Sequence, residues 1–144
     1  MYTGGDDSTF CIWDLKSHEP IVRKRFMCGQ TSGEFCPVDE NYLVQGGYDD
    51  FIRCWDVRNW KRPVSELALG GGVWRTRFTT DGKLLAVPCM YNNAKIVANE
   101  SGVLKEVFAS DVHSSIAYGA CWIEERQMFA TCSFYDKKVA VWTF

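Results

Sequence analysis

One phrase in this chain occurs twice. Gly4-Gly5-Asp6-Asp7-Ser8-Thr9-Phe10-Cys11-Ile12-Trp13-Asp14 returns forty-two positions later as Gly46-Gly47-Tyr48-Asp49-Asp50-Phe51-Ile52-Arg53-Cys54-Trp55-Asp56. Each copy opens on glycines and aspartates, the residues that tolerate positive φ in tight turns. Each then enters a short apolar run closed by Trp-Asp. Runs of that length with period-two alternation read as strands, and no helical period appears anywhere. A strand-built unit of some forty residues cannot bury its own apolar face. It must stack on a neighbour, so the array is what folds.

A repeat of this length ending in Trp-Asp is the mark of a WD-type β-propeller blade. The remaining sequence keeps the period. Ile21 to Phe26, Tyr42 to Gln45, Phe51 to Asp56 and Val64 to Leu69 read as strands. So do Val73 to Phe78, Leu84 to Cys89, Lys95 to Val97 and Val103 to Phe108. The last unit supplies Tyr118 to Ile123, Met128 to Ser133 and Val139 to Trp142, with a turn at Glu124 to Gln127. Val97 occupies the tryptophan slot of the third unit. The expected fold is all-β, a partial WD-repeat propeller of about three and a third blades, each of four antiparallel strands. The approximate blades are 1–26 (partial), 27–69, 70–109 and 110–144 (partial). Propellers close with about four to eight blades. The expectation is therefore a portion of a longer protein that begins mid-blade at Met1. The alternative is several chains completing one ring.

Composition excludes some classes of function. The formal charge of −2 offers no basic face for nucleic acid. No stretch approaches the roughly twenty apolar residues of a membrane-spanning helix, so no membrane is expected. Seven cysteines show no CxxC pair and no disulfide spacing. They read as small buried hydrophobes of a reduced compartment, and the expectation is a cytoplasmic or nucleocytoplasmic protein. His18 and His113 have no paired cysteine nearby, so neither a metal nor a cofactor is expected.

Two readings compete for the polar residues. His113 as a general base oriented by Asp136 would be one. The other is a blade staple, in which His113, Ser133 or Thr131, Asp136 and Trp142 hydrogen-bond to one another. Buried polar groups need such partners. Asp7 with Trp13-Asp14, and Asp49 with Trp55-Asp56, occupy the same turn and strand positions without a matching histidine and read as structural. Cys132 and Ser115 are nucleophile candidates by residue type, although no G-x-S-x-G elbow occurs. Arg75 enters the innermost strand of its unit and would clamp a carboxylate or pair with a neighbouring blade. Trp74, Tyr91, Tyr118 and Tyr135 lie near turns, where they would cage a cation or pack between blades.

Four phrases carry a more specific resemblance: Gly71-Gly72-Val73-Trp74-Arg75, Cys89-Met90, His113-x-Ser115-x-x-Tyr118-Gly119, and Cys132-Ser133-Phe134-Tyr135-Asp136. In that order they resemble the C-terminal half of the diphthine methyl ester hydrolase family, WD-repeat proteins of diphthamide biosynthesis. The resemblance implies a carboxylic ester hydrolase that removes the methyl ester from methylated diphthine on translation elongation factor 2. Its substrate would carry a quaternary ammonium as well as the ester. The catalytic candidates under this resemblance are His113, Ser115, Cys132, Tyr135 and Asp136. The substrate-binding candidates are Trp74, Arg75, Met90, Tyr91 and Tyr118. The chain departs from the family in two places. Tyr118-Gly119-Ala120-Cys121-Trp122 stands where the family commonly reads Tyr-Gly-x-Asp-Trp, and Tyr91 stands where a histidine often follows Cys-Met. A non-catalytic interaction scaffold and an inactive relative remain the alternatives.

Overall fold

The computed structural model describes residues 1–143; Phe144, the last position of the expected repeat array, lies outside them. Among the described residues, fourteen strands form four antiparallel sheets in chain order. The first holds β1 (Tyr2–Gly4), β2 (Thr9–Trp13) and β3 (Pro20–Arg25). The second holds β4 (Gln30–Cys36), β5 (Asp39–Gly47), β6 (Phe51–Asp56) and β7 (Ser65–Ala68). The third holds β8 (Arg77–Phe78), β9 (Leu84–Pro88), β10 (Ala94–Glu100) and β11 (Val103–Ala109). The fourth holds β12 (Ala117–Ile123), β13 (Met128–Ser133) and β14 (Lys138–Thr143). Each strand pairs with its neighbour in sequence, so the sheets are meanders set side by side, as in a β-propeller. Trp55 lies opposite Leu43, Val97 opposite Leu85 and Trp142 opposite Phe129. These three positions are therefore equivalent, on the third strand of each unit, and Val97 does fill the tryptophan slot.

Each seam between sheets is apolar. Phe10, Ile12 and Leu43 fill the first, with Val22, Phe26 and Trp60 against them. Val44, Ile52, Leu69, Val73, Leu85 and Val97 fill the second, all of them essentially inaccessible. Burying each such side chain contributes about 1.5–3 kcal/mol. The third seam is aromatic: Phe108 of β11 meets Phe129 at 5.8 Å and Trp142 at 5.4 Å between ring centres. Polar bonds one repeat apart tie the inner strands together. The Thr31 hydroxyl donates to Val73 O. Ser32 and Thr76 hydroxyls meet at 2.9 Å, and Phe78 N donates to Glu34 at 3.2 Å. Thr80 bonds Glu124 through its N–H at 2.9 Å, and the Trp122 indole donates to Arg77 O at 2.7 Å.

The structure differs from the sequence expectation at several elements, β1 among them, a strand that the expectation does not include. The strand expected over Val73 to Phe78 shrinks to Arg77–Phe78; Val73 N bonds instead to Gly47 O of the second sheet at 2.9 Å, while Trp74 N keeps one bond to β9, at Pro88 O, 2.9 Å. β4 is an innermost strand that the sequence pattern does not announce; its burial runs at every third residue rather than every second. The Glu124 to Gln127 turn is a short 3₁₀ segment, Glu124–Arg126, closed by Gln127 at φ 50°.

Candidate functional site

The loops entering β6, β8, β10, β12 and β14 share one end of the sheets, because the strands between them alternate in direction. His113 sits just before β12 and is buried. Its Nε2 lies 2.8 Å from the Thr131 hydroxyl, and its Nδ1 faces the Asp136 carboxylate at 3.4 Å. The Trp142 indole reaches the same hydroxyl at 3.5 Å. Thr131 Oγ1 thus stands between the His113 ring and the Trp142 indole, and which of the hydroxyl and Nε2 donates follows the ring tautomer. Desolvation works against the Asp136 anion. The N–H groups of Ser114 and Lys138, the Ser133 hydroxyl and His113 outweigh it, holding the carboxyl below its ordinary value.

The geometry is that of the staple reading, with the Thr131 hydroxyl at His113 and Trp142 and the Ser133 hydroxyl at Asp136. His113 and Asp136 are committed to it and turned away from solvent, with side-chain exposures of 0% and 5%. The other tryptophans find different partners. Trp13 donates to Thr3 Oγ1 at 2.8 Å and Trp55 to Gln45 Oε1 at 3.3 Å. Asp7, Asp14, Asp49 and Asp56 each accept a nearby backbone N–H in their turns.

A row of aromatic rings crosses the same end of three sheets. Tyr48 lies 6.2 Å from Trp74, and Trp74 meets Tyr118 edge-on at 5.2 Å. Tyr118 lies 6.2 Å from Tyr135, which meets Phe134 at 5.3 Å. Desolvation, and after it the Tyr135 hydroxyl, holds the Tyr118 phenol above its ordinary value. Tyr91 is 76% exposed at the tip of its turn, outside these ring contacts. Tyr48 was not among the sequence candidates. The available signal was its position: it stands where the first copy of the repeat has Asp6.

Trp74 also opens onto a second feature. A cavity of about 590 Å³ lies between β1, β4 and the approach to β8, lined by Tyr2, Gln30, Ser32, Trp74, Arg75 and Arg77 among others. Arg75 is exposed there. No hydrogen bond or ion pair from it is found among the described residues. An apolar depression of about 550 Å³ lies at the other end of the row, formed by Tyr118, Cys132, Phe134, Tyr135 and Val139 with Lys137 and Lys138.

Cys132 is exposed, and its sulfur sits across from Gly119, 2.7 Å from where a Cβ there would stand. Neither Cys132 nor Ser115 has a base bonded to it among the described residues. Met90 is partly buried beneath Gly72 rather than in the row. All seven cysteines are free, and burial pushes the Cys54 and Cys89 thiols up to about 12. Those two remain protonated and unreactive at neutral pH. No group of metal-ligating side chains occurs among the described residues.

No family model matches the sequence. Curated relatives do. A diphthine methyltransferase homolog of Dictyostelium discoideum is 32% identical across 99% of this chain and 46% of its own length. The diphthine methyltransferase of Schizosaccharomyces pombe is 33% identical over the same shares. This chain belongs to the diphthine methyltransferase family. It spans less than half the length of those relatives. Among solved structures, a chain of a mitotic checkpoint complex superposes with a TM-score of 0.85 at 20% identity, covering 99% of this chain and 45% of that one; the likeness is one of fold.

The four phrases that carry the resemblance to the diphthine methyltransferase family meet at one end of the fold. Gly72 rests on Met90, Met90 bridges to Ala117, Trp74 meets Tyr118, and Asp136 accepts the Ser114 N–H at 2.9 Å. The departures lie apart from one another. Tyr91 projects from this end, whereas Cys121 is exposed near the far end of β12.

Proposed function

We propose that this chain acts in diphthamide biosynthesis, as part of an esterase that removes the methyl group from methylated diphthine on elongation factor 2. Water oxygen adds to the acyl carbon, the carbon–methoxy bond breaks, and methoxide leaves with a proton as methanol. The product is a carboxylate. The observation that carries this reading is the aromatic row Tyr48–Trp74–Tyr118–Tyr135, in a chain whose relatives are named for diphthine. A trimethylammonium group on such rings gains about 0.5–2 kcal/mol from cation–π attraction. Arg75, next in sequence to Trp74 and without a hydrogen bond or ion pair among the described residues, would receive the developing oxyanion and then the carboxylate. Seven free thiols accord with a cytoplasmic location.

The test is methanol release from methylated elongation factor 2. Trp74→Ala should raise KM about two- to thirtyfold with kcat less affected, matching the loss of one cation–π contact. Arg75→Ala should lower kcat. Normal turnover in both variants would end the esterase reading of this site.

A binding platform without chemistry is the second reading. It is favoured by one observation: His113 and Asp136 are consumed by the staple, and Ser115 and Cys132 lack a bonded base. Capture of elongation factor 2 without methanol release would select it.

A further inference from the structure

The turn Cys89–Asn93 joins β9 to β10 and lies between the two segments that carry the row. On one side it holds the loop leading to Trp74. Pro88 O accepts the Trp74 N–H at 2.9 Å, and the Asn92 side chain donates to Leu69 O at 2.6 Å. The Met90 sulfur stands 2.6 Å from the point that a Cβ on Gly72 would occupy. The loop therefore passes directly against the thioether, which a larger residue at that position would prevent. On the other side Met90 O accepts the Ala117 N–H at 2.9 Å, and Asn93 Oδ1 accepts the His113 N–H at 2.6 Å. Met90 has φ 47° and Asn93 φ 60°, left-handed values that non-glycine residues rarely adopt. Contacts on both sides hold them there.

Met90 thus touches Gly72, two residues before Trp74, and bonds Ala117, one residue before Tyr118. We propose that Met90 is a positioning residue that sets the spacing of Trp74 and Tyr118 and, through it, the affinity of the aromatic row for a quaternary ammonium group. The functional half of this proposal rests on the cation reading given above; the geometric half does not. Methionine suits the task because its unbranched thioether fills the irregular gap under a glycine. Alanine would leave a void into which the Gly72 loop settles, carrying Trp74 with it. Leucine nearly conserves the volume.

The experiment uses the whole chain labelled with nitrogen-15 and tetramethylammonium as the probe. The Trp74 indole N–H resonance is assigned by its loss in Trp74→Phe. Met90→Ala should move that resonance and weaken tetramethylammonium binding about three- to tenfold; Met90→Leu should return affinity to within about twofold of the parent. Leu104→Ala, a cavity made in the seam away from the row, should leave both readings at the parent values. If Met90→Ala does not fold, Gly72→Ala presses the same sulfur from the other side and should move the resonance instead. An unmoved Trp74 resonance in whichever of these two variants folds, or parental affinity in Met90→Ala, overturns the proposal. If the parent itself fails to bind tetramethylammonium, the cation reading falls, while the resonance still decides whether Met90 positions Trp74.

Discussion

Replacing Thr131 with valine isolates the polar staple from the packing around it. Thr131 is 2% exposed, and valine has nearly its shape, so the apolar contacts are kept. The substitution deletes a hydroxyl that lies 2.8 Å from His113 Nε2 and 3.5 Å from the Trp142 indole nitrogen. The second distance is at the limit of a hydrogen bond and contributes little. The first leaves His113 Nε2 buried against a methyl group. A buried polar atom stripped of its partner costs about 1–3 kcal/mol, and the added methyl offsets only a fraction of that. The net loss should be about 1–2 kcal/mol, seen as a lower urea midpoint at unchanged slope. Thr131→Ser keeps the hydroxyl and gives up one methyl, costing about 1 kcal/mol by a different route. Nitrogen-15 shifts of the His113 ring separate the two, because only valine removes the bond to Nε2. The staple reasoning is refuted if Thr131→Val unfolds within about 0.5 kcal/mol of the parent with the His113 ring shifts unmoved.

Two further outcomes follow from packing and titration. Gly46→Ala puts a methyl group into the side chain of Val73, which is fully buried, and should cost about 1–3 kcal/mol by overpacking; an unchanged thermal midpoint would contradict the close approach of these segments. Glu34 is held above its ordinary value of 4.5 because burial outweighs the Phe78 N–H, Arg77 and Thr76. A carboxyl raised in the fold contributes stability that is complete below 4.5 and is lost as pH rises through the folded value. Glu34→Gln should therefore flatten the pH dependence of the melting temperature above about pH 4.5. A wild-type curve that rises relative to the variant across that window would reverse the sign and refute the assignment.

The elements most legible in the sequence were those whose side chains report on one environment. β2 ends at Trp13 and β6 at Trp55-Asp56, and β6 spans the run marked by its turn and its tryptophan. Val97 could be placed in the third-strand slot because the period held although the residue type did not. β4 escaped because an innermost strand faces two neighbouring sheets and a cavity, so its burial lacks the two-residue period that marks a half-buried strand. Val73 to Thr76 look like strand, yet Val73 bonds to Gly47 of the neighbouring sheet, a preference that no local pattern encodes.

The site divides in the same way. Candidate aromatics could be named from their positions near turns. That Trp74 and Tyr118 touch while Tyr91 stands clear depends on how the third sheet packs between the second and the fourth. Tyr48 joins Trp74 only because the Gly70–Gly72 loop crosses over the second sheet. His113 can be read as base or as staple in one dimension; only the fold brings it, buried, against Thr131 and Asp136.

Periodicity, turn chemistry and the choice of strand over helix were written in the order of residues, because each depends on neighbours a few positions away. Which side chains meet was not. Contacts between repeats form across some forty positions of chain, and their geometry is set by the packing of whole sheets rather than by any local preference.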